Sequence, residues 1–276
     1  MNPKHAMHWL LHGRGSTRPI AVFRILLVFL VWARLSEELT LWSAQSAAEA
    51  AVGFGLLLFG SMVLVGFRTR QAMTCLAVLL GVVYFYFGLF VDRYPYQHHH
   101  IYLLFICSAL TACGPCDKSF SLDSSLARKE GREVDETGSL TASRLLVIQL
   151  ASVYFWGAID KSNVTFLSGL RLEQILYLHY YETVWADFLL HRPLIVFASN
   201  TVIVIEYVLP LLLLTGRCPR LTIAIAVVLH GAFYFLLPVQ TFSATMLAMY
   251  IFAIPARWID RFFGQLPANN SAVRVE

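Results

Sequence analysis

The stretch A-E-A-A-V-G-F-G-L-L-L-F-G-S-M-V-L-V-G-F, residues Ala48–Phe67, decides the fold class of this chain. It is almost entirely apolar, and about 20 such residues are what an α-helix needs to cross the hydrocarbon core of a bilayer. Stretches of comparable character recur at Pro19–Leu39, Gln71–Val91, Tyr94–Cys113, Ala142–Asp160, Ile195–Thr215, Leu221–Val239 and Thr241–Trp258. We therefore predict an all-α integral membrane protein with about eight transmembrane helices.

The composition agrees with this fold class. Of the 276 residues, 58% are hydrophobic and 14% are charged, whereas a typical soluble domain is about 45–50% apolar and about 25% charged. The net charge is +4, but the Lys and Arg residues lie in short clusters between apolar stretches. We therefore predict a lipid bilayer and not a nucleic acid as the partner. The predicted organisation is a tail (1–18), a transmembrane domain (19–261) and a second tail (262–276).

The positive charges also predict an orientation. Loops rich in Lys and Arg lie on the cytoplasmic side of membrane proteins, and the clusters of this chain fall in alternate loops. Eight spans would place all of them, and both termini, in the cytoplasm; in a bacterium the membrane would be the cytoplasmic membrane. The connection Asn163–Pro193 has apolar residues at helical spacing beside charged ones, which predicts an interfacial helical segment between the fifth and sixth spans.

Three groups of ionisable residues interrupt the apolar pattern, at His98–His100, Asp160–Lys161 and His230. Ionisable side chains inside a membrane are costly and are candidates for function. All three groups lie toward the outer side of the predicted spans, as a shared pocket would require. Two of the groups also have a structural interpretation, because Lys161 at a helix end can extend to the interface and His98–His100 can lie at the membrane surface. His230 lies inside a span and needs an internal partner or a water-filled cavity.

Cysteine and histidine patterns give weaker signals. Cys113 and Cys116 have the C-x-x-C spacing of redox sites, but they lack the βαβ context of such sites, so two cysteines in a turn are the alternative. Three adjacent histidines on a helix point in different directions and form a poor zinc site. We predict no metal.

The segment Y-F-W-G-A-I-D-K-S-N-V-T-F-L-S-G, Tyr154–Gly169, resembles the active-site segment of the vitamin K-dependent γ-glutamyl carboxylase family, whose wider group is the horizontally transferred transmembrane (HTTM) domain family. That segment reads Y-F-x-x-G-x-x-K and continues with an aromatic residue and a glycine at the spacings of Phe166 and Gly169. Further similarities cover nearly the whole chain, at Ala21–Arg24, His98–Leu103, Ser121–Asp123, Glu206 and His230.

The resemblance implies a membrane enzyme that uses a reduced quinone, namely reduced vitamin K or another quinol. Oxygenation of the hydroquinone would be coupled to proton abstraction or carboxylation of a substrate such as a secreted peptide. It assigns catalytic roles to Lys161, His100 and His230, and a substrate- or quinone-binding role to the remaining candidates. These are His99, Tyr102, Tyr154, Trp156, Asp160 and Glu206.

Two other functions stay open. Asp160 stands where the animal carboxylase has a second lysine, and the chain ends at Glu276 where the carboxylase continues into a large extramembrane domain. These departures motivate a non-catalytic membrane subunit or maturation factor that acts with a soluble partner. A transporter or channel is the third possibility, but the chain lacks the paired, interrupted helices of matched length in two halves that transporters show.

Overall fold

A computed structural model describes residues 3–36 and 44–264. These residues form fourteen α-helices and one two-stranded antiparallel sheet. The helices are α1 (Pro3–His12), α2 (Arg18–Leu35), α3 (Ala47–Val65), α4 (Thr69–Gly81), α5 (His99–Ala112), α6 (Leu122–Lys129), α7 (Thr141–Lys161), α8 (Val164–Leu167), α9 (Leu170–Tyr180), α10 (Ala186–Leu189), α11 (Arg192–Thr215), α12 (Pro219–Leu236), α13 (Gln240–Met249) and α14 (Ala256–Phe262), and the strands are β1 (Arg14–Ser16) and β2 (Thr137–Ser139). The predicted all-α membrane fold is confirmed.

Five helical segments within the described ranges are long and apolar enough to cross a membrane. They are α3, α7, α11, α12 and α4 extended by the π-helix Val82–Phe90. Helices also stand at the other three predicted places, but α5 has only 14 residues and α2 carries three arginines. The predicted end of the first span, 37–39, lies outside the described residues. A total of eight crossings therefore stays a prediction.

The eighth predicted span is not one straight helix. The chain is helical over Gln240–Phe252, bends by 95° and continues as α14. Pro255 stands at the bend, immediately before α14. A proline has no backbone N–H and disfavours helical geometry at the residue before it. The pattern of apolar residues alone did not reveal this break.

The helices pack as a bundle with an apolar interior. Helix α7 packs against α11, α4 against α3 and α5, and α12 against α13. Leucines such as Leu27, Leu76 and Leu150 are completely buried, whereas Phe90 and Val228 are 80% and 72% exposed. Large apolar side chains on the outside are what a membrane protein presents to lipid, because water does not reach that surface.

One end of the bundle gathers the arginine-rich loops. Residues 3–16, which belong to the predicted tail, form α1 and β1, and β1 pairs with β2 of the loop between α6 and α7. The Arg18 guanidinium lies 3.0 Å from the Glu136 carboxylate. The Ser16 hydroxyl donates to Asp260 over 3.0 Å. The first and last described segments therefore meet at the same end.

The connection between α7 and α11 lies at the opposite end and is helical, as predicted. It contains α8, α9 and α10. Gly169 precedes α9 with a φ of +78°, and a Cβ at this position would lie 2.9 Å from the Ile195 side chain. Glycine is therefore required here, because it tolerates positive φ and lets the connection pack closely on α11.

Candidate functional site

A cavity of about 970 Å³ opens at the end of the bundle that holds this connection. Helices α5, α7, α11, α12 and α13 form its walls, and α9 and α10 contribute apolar side chains. Of the nine side chains that the sequence singled out, eight line the cavity: His99, Tyr102, Tyr154, Trp156, Asp160, Lys161, Glu206 and His230. The ninth, His100, is not in the lining and packs on Phe242, with 5.9 Å between ring centroids.

An ion pair joins α7 and α11 at the wall of the cavity. Lys161 Nζ lies 2.9 Å from Glu206 Oε2 and 3.0 Å from Oε1. The Glu206 side chain is 7% exposed and that of Lys161 is 26% exposed. A carboxylate this buried needs a charged partner, because burial removes its hydration. Glu206 therefore holds the Lys161 ammonium at the cavity.

Gly157 leaves room for this ion pair. A Cβ at this position would lie 3.2 Å from Lys161 Nζ and 3.4 Å from Glu206 Oε2. A larger residue would crowd the pair. In the family pattern the glycine falls one residue later, where this chain has Ala158.

A second set of polar side chains lies deeper in the bundle and connects three helical segments through hydrogen bonds. Tyr250 donates a hydrogen bond to the Tyr154 hydroxyl over 3.0 Å, and that hydroxyl lies 2.6 Å from His230 Nε2. When the Tyr154 hydroxyl donates to Nε2, the proton of the neutral His230 ring lies on Nδ1. Within the described structure, His230 Nδ1 is buried and has no hydrogen-bond partner. In that tautomer the ring retains an unused donor at Nδ1.

Residues at the edge of the cavity are more exposed. Trp156 is 65% exposed although it lines the cavity, and His99 and Asp160 are exposed as well. Asp160 directly precedes Lys161 in the sequence, but the ion-pair partner of the lysine is Glu206. These exposed residues therefore mark the open edge of the cavity.

The two cysteines of the C-x-x-C stretch differ in their surroundings. Cys113 is exposed, whereas Cys116 is completely buried and its carbonyl accepts a hydrogen bond from Arg24. Burial raises the pKa of the Cys116 thiol to about 11. A redox-active pair needs a thiolate of lowered pKa, so the structure favours the interpretation as a turn after α5. No group of three metal-binding side chains occurs among the described residues.

Comparison with known families agrees with this arrangement. A family model described as the HTTM domain matches residues 45–258, which is more than half of the chain and includes the whole cavity lining. The chain belongs to the HTTM-domain family. This membership links it, at a coarse level, to the vitamin K-dependent carboxylases. A search of curated proteins and of solved structures finds no match.

Sequence reasoning missed Tyr250, Gly157 and Phe242 as members of the site. Tyr250 follows α13 inside an apolar segment, and its hydroxyl was the one available signal, because a polar atom in such a segment needs a partner. Gly157 and Phe242 carry no polar atom in their side chains. Their roles depend on contacts between helices that are distant in sequence.

Proposed function

We propose that this HTTM-domain protein is a carboxylase-like membrane enzyme that uses a reduced quinone, coupling hydroquinone oxygenation to proton abstraction from a substrate or to its carboxylation. The observation that supports it best is the placement of the Lys161–Glu206 pair and the Tyr154–His230 pair in one largely apolar cavity. Membership of the HTTM-domain family supports the same reaction class.

The cavity fits a quinone chemically. Its walls are mainly aromatic and aliphatic and could hold a ring and an isoprenoid tail, with Trp156 and Tyr102 beside the exposed side. A binding site of this kind needs a few placed polar groups in an apolar lining. His230 Nδ1 supplies one, because buried polar atoms almost always have a hydrogen-bond partner and this atom has none in the described protein. A quinone oxygen is an acceptor of the required kind.

The Lys161–Glu206 pair provides the proton acceptor of the proposal. When bound, a reduced quinone supplies the electrons that reduce dioxygen and thereby a base strong enough for proton abstraction from carbon. For this, a side chain of the protein must first accept a proton from a hydroxyl group of the hydroquinone inside the poorly hydrated cavity. Lys161 can do this as a neutral amine after passing its own proton to Glu206 over 2.9 Å.

The apolar walls protect this chemistry from water. Leu103, Leu176 and Ile195 are buried residues of the lining. Exclusion of water prevents the quenching of a strong base and strengthens hydrogen bonds inside the site. The substrate would be a secreted peptide or a protein presented by a soluble partner at the open side of the cavity.

The first prediction tests the role of Lys161. We expect Lys161→Ala to lower vitamin K epoxide formation from vitamin K hydroquinone by at least about 100-fold, the usual effect of losing a general base. Purified protein in nanodiscs, supplied with hydroquinone and dioxygen, provides the measurement. Quinone binding should persist, because the apolar walls are unchanged.

Lys129→Ala is the matched control, because Lys129 is an exposed lysine of α6 outside the cavity lining. It should retain full activity. Equal activity in Lys161→Ala and wild type, or no quinone binding by the wild type, would contradict the proposal. Recovery of a stoichiometric soluble partner without any turnover would favour the non-catalytic subunit instead.

A further inference from the structure

A second cavity, of about 430 Å³, lies at the arginine-rich end of the bundle. It is bounded by the start of α7, the end of α11 and the bend between α13 and α14. Arg144 and Arg217 line it, and none of its lining residues is Asp or Glu. We call it the arginine cleft. The quinone proposal makes no use of it.

Among the described residues, neither cleft arginine has a carboxylate partner. The Arg144 guanidinium lies over the Trp9 ring, 4.6 Å from the centroid, and beside Gly13. In the ranges that the structure describes, no carboxylate lies within ion-pair distance of Arg144 or Arg217. Nearby arginines differ, since Arg18 has Glu136 as its partner. The cleft therefore has an excess of positive charge and room for an anion.

The cleft is also apolar on the side toward lipid. Val147, Leu213 and Phe252 contribute to its wall. Leu214 both lines the cleft and is 53% exposed, and its neighbour Leu211 is 65% exposed. A soluble anion gains nothing from such a wall. A molecule with a negatively charged head and a hydrocarbon chain can satisfy both parts.

We propose that the arginine cleft binds one anionic phospholipid, with the phosphate between Arg144 and Arg217 and the start of an acyl chain along Val147 and Leu213. Guanidinium groups bind phosphate through charge-assisted hydrogen bonds. The Ser143 hydroxyl also lines the cleft and can donate to the headgroup. The predicted orientation places this end in the cytoplasmic leaflet, where basic pockets between transmembrane helices bind anionic headgroups.

Binding of phosphatidylglycerol to the full chain in detergent tests this proposal. Native mass spectrometry should show one phosphatidylglycerol molecule bound to the wild type. Phosphatidylcholine should bind the wild type with clearly lower affinity. We expect Arg144→Gln and Arg217→Gln each to weaken this binding roughly five-fold, the effect of about 1 kcal/mol for each basic residue near a lipid headgroup. The double variant should lose most of it.

Arg257→Gln is the matched control, because Arg257 is exposed in α14 and does not line the cleft. It should bind as the wild type does. Ser143→Phe keeps both charges but fills the cleft, so it tests the site even if the arginine variants fold poorly. Equal binding by Ser143→Phe and the wild type would overturn the proposal. So would inorganic phosphate that displaces the lipid at equal concentration, because the cleft would then be a simple anion site.

Discussion

The partner of Lys161 shows what one residue position can and cannot reveal. The sequence draws attention to Asp160, the acidic neighbour of the lysine. Adjacent side chains on a helix point about 100° apart, and Asp160 is exposed, whereas Glu206 reaches Lys161 from α11 although 45 positions separate them in sequence. Glu206 is thus the ion-pair partner of the lysine.

Glu206→Gln should destabilise the protein and reduce its activity together. The amide preserves the shape but leaves the Lys161 ammonium without a carboxylate in a poorly hydrated site. We expect a loss of about 1–3 kcal/mol in unfolding free energy, below the value for a fully buried pair because Lys161 is partly exposed. Denaturant unfolding in detergent provides the measurement.

The double variant Glu206→Gln/Lys161→Met should regain part of this stability, because it removes the unpaired charge, but it should stay inactive. Glu182→Gln changes an exposed glutamate between α9 and α10, away from the ion pair, and should have little effect. Additive losses in the double variant would show that the two side chains do not depend on each other.

At the scale of one element, α4 shows how a helix can begin with help from a distant segment. The residue before it, Arg68, has a φ of 43° and gives no side-chain cap. Asp123, at the start of α6, instead accepts hydrogen bonds from the backbone N–H of Arg68 and Thr69 and from the Thr69 hydroxyl. The short motif Ser121–Asp123 that resembles the family thus has a structural role.

Asp123→Ala should therefore lower stability by about 1–2 kcal/mol, the usual effect of removing an N-terminal cap. Loss of these bonds leaves the first N–H groups of α4 without protein acceptors. The measurement is the unfolding midpoint of the purified protein. Asp187→Ala removes an exposed aspartate from α10 and serves as control; an equal shift in both variants would argue against a specific cap.

At the scale of the whole molecule, the contact between Ser16 and Asp260 brings both ends of the described chain together. Both ends lie on one side of the membrane when the number of crossings is even, as predicted. The same end carries the sheet of β1 and β2 and the Arg18–Glu136 pair, whereas Lys161 and Glu206 lie toward the other end. The two cavities therefore open at opposite ends of the bundle.

Cysteine labelling can determine which end faces the cytoplasm. In a background without the five native cysteines, a membrane-impermeant maleimide should label Val184→Cys on intact cells, because Val184 is 93% exposed in the connection with α9 and α10. Arg132→Cys, in the arginine-rich loop, should react only after permeabilisation. The reverse pattern would show that the predicted orientation is wrong.

The sequence by itself determined the fold class and most of the candidate residues. An apolar stretch of span length forms a helix in lipid, because only a helix satisfies its backbone N–H and C=O groups within the segment. Ionisable residues within such a stretch stand out from their neighbours. The helical connection after α7 was predictable for the same reason, from its periodic apolar residues. The sequence also identified Lys161 and His230 separately.

Only the tertiary structure decided how these residues meet. It paired Lys161 with Glu206, added Tyr250 to Tyr154 and His230, and placed His100 behind Phe242 rather than in the lining. It also broke the eighth predicted span near Pro255. The pattern along one helix reports which side chains share a face, but not which helix lies opposite. Packing between distant segments determines which helices are neighbours, because buried charges and hydrogen-bonding groups need partners and the side chains must fit together in shape.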